Sequence, residues 1–332
     1  MELVVDFWDV GQGDCSVLRL PDGKLLIIDT GPPDSPLVEW LAGRGEKIHG
    51  LVLTHNDEDH AGCFSDLLER FAPRLEKVFL LIDRHPQTNA AQRIMGCAAR
   101  YAKRGVFELH NLEVEQNGVL PIYGRDKGRE KLLIYGVHPD FSVNLDNQLR
   151  RAPQPNTVSA VVCLDINGST EILWGGDAPM RTIAEKCEGK RPEVMIGPHH
   201  GGPTDRKERD YPKQFDRVEP KNVFISVGTG NSYGHPVKKF IDLHARQDRR
   251  VVCSQLVYCD KHRVEHRKHV MRHHLELGLV PPQNGDAVTC RGPIRLEWDP
   301  EQREFLHHET HAIHLERIAS LHRPYCIGRL SE

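Results

Sequence analysis

The sequence predicts an α/β fold with mixed strand directions. Three observations carry that reading. Short apolar runs of strand type alternate with segments of helical spacing. Hairpin signals occur near the N-terminus and in the middle of the chain, at PDGK and NGS. Polar groups recur at the C-terminal ends of strand candidates, where α/β sheets usually build their sites.

The elements follow in order. VVDFWDV (4–10) is a strand broken by GQGD, and CSVLRL (15–20) and KLLIIDT (24–30) are strands flanking the Asp-Gly turn. LVEWLAGRG (37–45) reads as a short helix ending at glycine. GLVLT (50–54) is a strand, and the segment 62–73 places Phe64, Leu67, Leu68 and Phe71 on one helical face that stops near Pro73. KVFLLID (77–83) is a strand and 89–105 a helix. Residues 140–157 read as a polar connection. VSAVVCLDI (158–166) and EILWGGD (171–177) form the second hairpin, followed by a helix over 178–189. EVMIGPHHGG (193–202) is strand then loop, NVFISVG (222–228) a strand, and 235–247 a helix. Beyond about residue 250 the pattern is less regular. We therefore divide the chain into a domain over 1–250 and a C-terminal extension over 251–332.

Composition narrows the class. The 332 residues are 39% hydrophobic and 27% charged, an ordinary globular balance with enough length for a sizeable core. Net charge is −3, so a chain-wide electrostatic case for nucleic acid is absent and only a local patch can serve. No apolar run of about 18 residues occurs, so no membrane span is expected. The opening MELVVDFWDVGQGD is acidic and does not read as a signal peptide, which makes a cytoplasmic setting the expectation. Nine cysteines are too dilute for a disulfide scaffold.

The chemistry concentrates in LVLTHNDEDHAG (51–62). Three acids and two imidazoles sit within six positions directly behind a strand. Mutual repulsion makes that costly unless a cation binds. His55, Asp57, Asp59 and His60 give H-x-D-x-D-H, and imidazole with carboxylate suits Zn²⁺, Mn²⁺ or Fe. Asp177 in WGGDAP, His199 and His200 in GPHHGG, and His235 in NSYGHP lie at other strand ends. The arithmetic fits two metals bridged by a carboxylate. His55 and Asp57 serve one, Asp59, His60 and a histidine of 199/200 the other, and Asp177 lies between. His235 can also be read simply as the cap of the helix that starts there.

At these residues the sequence resembles the metallo-β-lactamase fold superfamily of hydrolases. THNDEDHAG matches the signature H-x-[HD]-x-D-H. The opening DVGQGD, then IDTG, NTVSAVVCL, GGD, PHHGG and SVGTGNSYGHP resemble, in order, the soluble metallo-β-lactamase-like domain of the DNA-uptake channel protein ComEC and its stand-alone relatives. The resemblance runs from about residue 5 to 245. It implies a four-layer αββα sandwich with a metal site at one edge. It does not extend to the channel's transmembrane region, so a role as the uptake pore is not expected. Two letters depart from the wider superfamily: Asp57 stands where most members have a second histidine, and Asn156 where a third-motif histidine is usual. Oxygen replaces nitrogen at both, which makes Mn²⁺ or Mg²⁺ a rival to Zn²⁺ at the first position.

A dinuclear site holds a bridging water whose pKa falls toward about 7, making hydroxide available. Asp59 then has a double reading, as ligand and as orienter of the nucleophile. His235 is placed to donate to a phosphate oxygen or leaving group. Asn231 and Tyr233 line the rim, while Asp14, Asp29 and Thr30 support the ligand loop from behind; Asp29 reads equally well as the cap of the turn before Gly31. The resemblance implies phosphodiester hydrolysis with DNA as the leading substrate. Arg206, Lys207, Arg209, Lys238 and Lys239 are candidate phosphate contacts or a solvated face. Two other readings remain open. One is hydrolysis of another ester or a small phosphodiester. The other is a metal-stabilised binding or regulatory module with weak turnover.

In the C-terminal part, Cys253, Cys259, His262 and Cys290 offer thiols and an imidazole for a closed structural Zn²⁺ site, against the plainer reading of buried thiols. RVEHRKHVMRHHLELG (263–278) reads as a basic helix.

Overall fold

The computed structural model describes residues 1–81, 89–113, 118–128, 130–138, 155–203, 211–229, 231–237, 240–241, 249–255 and 290–307. Their strands form two sheets. The first comprises β1 (Val4–Phe7), β2 (Ser16–Arg19), β3 (Leu25–Ile28), β4 (Ile48–Leu53), β5 (Leu75–Leu80) and β6 (Glu108–Asn111), extended beyond β1 by β14 (Ile294–Asp299) and β15 (Glu304–His307). Its order is β15-β14-β1-β2-β3-β4-β5-β6. The second runs β13 (Arg250–Cys253), β12 (Asn222–Ile225), β11 (Val194–Ile196), β10 (Ser169–Trp174), β9 (Val161–Ile166), β8 (Glu130–His138) and β7 (Leu120–Lys127). In each sheet an antiparallel half turns into a parallel half. β3 to β6 are parallel in one, and β10 to β13 in the other.

Alternation along the strands explains the layers. In β3, Leu25 and Ile27 pack into one apolar cluster with α1 (Leu37–Ala42), α3 (Phe64–Phe71) and α4 (Asn89–Lys103). Leu26 and Ile28 face the opposite way, against Ile134, Val162, Leu164 and Trp174 of the second sheet. A strand buried on both faces reads as a continuous apolar run, as LLII does. Behind the second sheet, Cys163, Leu173, Met195 and Val223 pack on the helices Met180–Lys186 and Tyr211–Val218. The order is helices, sheet, sheet, helices: the αββα sandwich implied by the sequence. No helix among the described residues is long and apolar enough to cross a membrane.

Several strands escaped the sequence reading. β6, β7, β8, β14 and β15 were not anticipated, nor was β13 as a sheet member. The line drawn at 250/251 falls at the start of β13, and β14 lies beside β1 with Val4 opposite Glu297. Asp6 and Arg295, opposite each other in that ladder, form a bidentate ion pair at 2.6 and 2.8 Å. Most of the helix expected over 235–247, the basic residues 206, 207, 209, 238 and 239, and the segment 263–278 lie outside the described residues.

Candidate metal centre

The parallel halves bring their strand ends to one edge. There the segments after β3, β4, β10, β11 and β12 meet, and the short stretch before β9 joins them. Thr54 and His55 follow β4, and α2 (Glu58–Ala61) begins immediately after Asp57. Gly13 lets the loop come close to this turn, because a Cβ there would overlap the backbone oxygen of Asp59. Asp14 N–H donates to that same oxygen at 3.2 Å.

Four imidazoles share one arrangement. His60 Nδ1 is 2.8 Å from Asp29 Oδ2. His200 Nδ1 is 2.8 Å from the Ser226 carbonyl. His199 Nδ1 is 3.0 Å from the Pro203 carbonyl. His55 Nδ1 lies 3.2 and 3.3 Å from the hydroxyls of Thr54 and Ser159. With Nδ1 tied to oxygen, each ring turns Nε2 inward, the tautomer a metal ligand needs.

Carboxylates meet these nitrogens. His60 Nε2 is 3.2 Å from Asp177 Oδ1 and 3.2 Å from His200 Nε2. His200 Nε2 is 3.2 Å from Asp59 Oδ2. His55 Nε2 is 3.5 Å from Asp177 Oδ2 and 3.7 Å from Asp57 Oδ2. His199 Nε2 is 3.8 Å from Asp177 Oδ2 and 3.2 Å from the Asn156 amide. Asp177 thus spans two groups of donors. His200 belongs with His60 and Asp59. His199 belongs with His55 and Asn156, on the side where the nitrogen of the third motif is missing.

The residues fit a cation. Buried His55 Nε2 and Asp177 Oδ1 have no hydrogen-bond partner among the described residues. Two groups of donors, His55/His60/Asp177 and Asp14/His60/His200, lie close enough to hold a metal ion. The second includes Asp14, whose Oδ1 lies 3.6 Å from His200 Nδ1, on the side of the ring away from the inward Nε2. His199 and His200 both sit at positive φ, 50° and 52°, a region side chains rarely adopt and functional sites tolerate.

The protonation states show the same charge balance. Burial raises Asp177, but the His60 charge, with His55 beside it, outweighs burial and holds the carboxyl well below its usual range. Burial likewise opposes ionisation of Asp59, and the His200 hydrogen bond with the His60 charge overcomes it. Burial would lower His60, yet Asp177 and Asp29 keep it well above its ordinary value. Burial pushes Asp14 up to about 6.

His235 stands apart. Burial, then the charges of His199 and His200, lower it to about 4, so it is neutral at neutral pH. Its buried Nδ1 has no partner. Tyr233 borders the same cavity, about 370 Å³ in volume. Asn231 instead uses its amide within the loop: Nδ2 donates to Gly228 and His235 carbonyls at 2.9 and 2.8 Å, and Oδ1 accepts from His235 N–H at 3.0 Å. Asp29 accepts from Thr54 N–H and Oγ1, both at 2.7 Å. The sequence reading overlooked Ser159, whose hydroxyl also accepts from Asp177 N–H at 3.0 Å. Its signal was present in NTVS. It also overlooked Ser226 and Gln12. Among the proposed structural zinc ligands, Cys253 and Cys290 are buried and brought near by the Arg291 N–H to Cys253 carbonyl bond, 2.9 Å. Cys259 and His262 lie outside the described residues.

Fold and donor set together resemble those of metallo-β-lactamase-type proteins, and a model of the Metallo-beta-lactamase superfamily matches residues 8–87 of the chain. Two curated relatives agree. ComE operon protein 3 of Bacillus subtilis is 24% identical over 280 residues, 75% of this chain and 31% of the relative. Recombination protein 2 of Haemophilus influenzae is 27% identical over 241 residues, 70% of this chain and 25% of the relative. The chain thus spans about a third or less of the length of these relatives. The solved metallo-beta-lactamase fold protein YhfI of Bacillus subtilis overlays with a TM-score of 0.42 at 10% identity, over 76% of this chain and 96% of that one.

Proposed function

We propose that the chain is a metal-dependent phosphodiesterase acting on nucleic acid, with DNA the favoured substrate and two divalent cations, Zn²⁺ or Mn²⁺ with Mg²⁺ as a rival, as cofactors. The observation that carries the reading is the meeting of four Nε2 atoms with three carboxylates at the sheet edge, where Asp57, Asp59, Asp177, His199 and His200 open onto a cavity. His60, His200 and Asp59 would hold one cation, His55, Asp57 and His199 the other, with Asp177 between and Asp14 close to the first. When bound, such cations supply Lewis-acid polarisation and an activated water. The remaining work belongs to the chain. Asp59, kept ionised, accepts a proton or orients the attacking oxygen from the cavity wall. His235, neutral and with one free nitrogen, takes a hydrogen bond to a substrate oxygen. Pro32 and Pro33 line the cavity with apolar surface that limits water. The name of the second relative, a recombination protein, supports DNA over other esters.

The test is direct. The purified chain is assayed for metal content and for cleavage of bis-p-nitrophenyl phosphate and plasmid DNA with Zn²⁺, Mn²⁺ and Mg²⁺. Turnover that Asp59→Ala lowers at least about 100-fold supports the reading. Bound metal without turnover would instead favour a binding module.

A further inference from the structure

We propose that the cavity takes an unpaired nucleobase, stacked on Tyr233, beside the phosphate to be cut, so that the preferred substrate is single-stranded DNA; this rests on the phosphodiesterase reading above. Tyr233 is the observation that prompts it. Its side chain is 69% exposed, an unusual state for an aromatic ring, and of the exposed large hydrophobics among the described residues it is the one that borders the cavity.

The loop that carries the ring is tied to its neighbours. The Asn231 amide closes the loop around it through three hydrogen bonds to Gly228 and His235. Tyr233 lies near-parallel to His235, with centroids 5.8 Å apart and planes 30° apart. His235 in turn lies near-parallel to His200, at 6.4 Å and 24°. Three flat rings therefore step from solvent to the buried donor set. The outermost is largely exposed, and no ring among the described residues stacks on its outer side. A planar, apolar partner would complete the series there, and a nucleobase is the planar group that a phosphodiester chain carries next to its phosphate.

Strand state follows from access. In a duplex the base faces are covered by their neighbours and cannot reach Tyr233. A cavity of about 370 Å³ suits a single nucleotide. Gln12, on the same wall system as the loop through its contact with Gly228, offers an amide to a base edge. Stacking without a required edge pattern predicts tolerance of sequence.

The experiment uses the full chain and separates binding from turnover. Fluorescence anisotropy is read with metal removed by chelator, on a labelled single strand, its duplex, and an equal-length strand with abasic residues. Wild type should bind the base-bearing single strand more tightly than the other two. Tyr233→Ala and Tyr233→Leu should weaken that binding about 5- to 150-fold, the range of one base–aromatic stack, and Tyr233→Phe should stay within about threefold of wild type. On the abasic strand the difference between wild type and Tyr233→Ala should collapse. Equal binding of single strand and duplex, or an equal loss on base-bearing and abasic strands, overturns the proposal. Cleavage is measured separately with Mn²⁺. Absence of cleavage with the binding pattern intact sinks the phosphodiesterase reading alone, and cleavage without the pattern sinks the stacking alone.

Discussion

Asp29 Oδ2 and His60 Nδ1 lie 2.8 Å apart with both side chains buried. The same carboxylate holds Thr54 through its N–H and its hydroxyl. One side chain from the end of β3 therefore fixes both the exit of β4 and the ring plane of His60. Asp29 itself sits at φ 58°, a conformation that Asp and Asn accept more readily than other residues.

Asp29→Asn keeps that backbone and removes the charge. Metal affinity should fall about 10- to 100-fold, the usual effect of losing a carboxylate behind a ligating histidine. Competition against a chromophoric chelator measures it, with circular dichroism confirming the fold. Unchanged affinity would show that His60 does not need this partner to bind metal.

The proton on the ligands gives a pH dependence. Burial alone would lower His200, but the Asp59 hydrogen bond and the Asp14 and Asp177 charges raise it to about 9. The folded pKa exceeds the ordinary 6.5, so this group's contribution to metal-free stability is full below 6.5 and is lost as pH rises through about 9. A cation must displace the proton over that window. Metal affinity should therefore climb about tenfold per pH unit between 6.5 and 9, with roughly one proton released per metal in calorimetry across buffers. A flat profile would mean that His200 is unprotonated or unused.

How much of this was legible in the sequence depends on burial. β3 and β4 are buried on both faces, so LLII and GLVL announced themselves, and the site letters followed them in the chain. β7 lies at a sheet edge with Pro121, Gly124 and Asp126 in it, and its exposed face hides the pattern. In β14, Ile294, Leu296 and Trp298 alternate with Arg295, Glu297 and Asp299, a period-two signal that the surrounding irregular sequence obscured. The residues that meet at the sheet edge were readable because each sits in a short motif. Which of His199 and His200 serves which side was not, because that depends on two successive positive-φ residues that point the rings apart. Ser226 and Gln12 carry no motif chemistry and gain their roles only from packing.

The pairing of Asp6 with Arg295 ties β14 to β1. Asp6 is buried, and burial raises its carboxyl despite the guanidinium beside it. Arg295→Met removes both hydrogen bonds and leaves that carboxylate without its main partner. The expected loss is about 2–4 kcal/mol, discounted from a fully buried pair because Arg295 is partly exposed. Urea unfolding measures it. Asp6→Asn combined with Arg295→Met should recover part of the loss, since the orphaned charge is then gone. A single-variant change below about 0.5 kcal/mol would mean that β14 is held by its apolar face alone.

Asp57 is the residue whose replacement reports most on metal choice. It precedes α2, its side chain is 39% exposed, and Oδ2 lies 3.7 Å from His55 Nε2. Burial raises its carboxyl and His55 pulls it down. A hard oxygen here, with the Asn156 amide rather than an imidazole beside His199, leaves the first position with two imidazoles, His55 and His199, and an oxygen where further nitrogen could stand. Asp57→His restores a nitrogen donor at a site with room at the cavity mouth. Imidazole suits Zn²⁺, whereas carboxylate also suits Mn²⁺ and Mg²⁺. Loaded from an equimolar mixture of Zn²⁺ and Mn²⁺, Asp57→His should shift its bound Zn:Mn ratio upward by at least about tenfold relative to the parent chain, read by elemental mass spectrometry. Asp57→His with Asn156→His should shift it further, because both departures then carry nitrogen. A ratio unmoved by either variant would place residue 57 outside the ligand set and return the metal preference to the donors around Asp177.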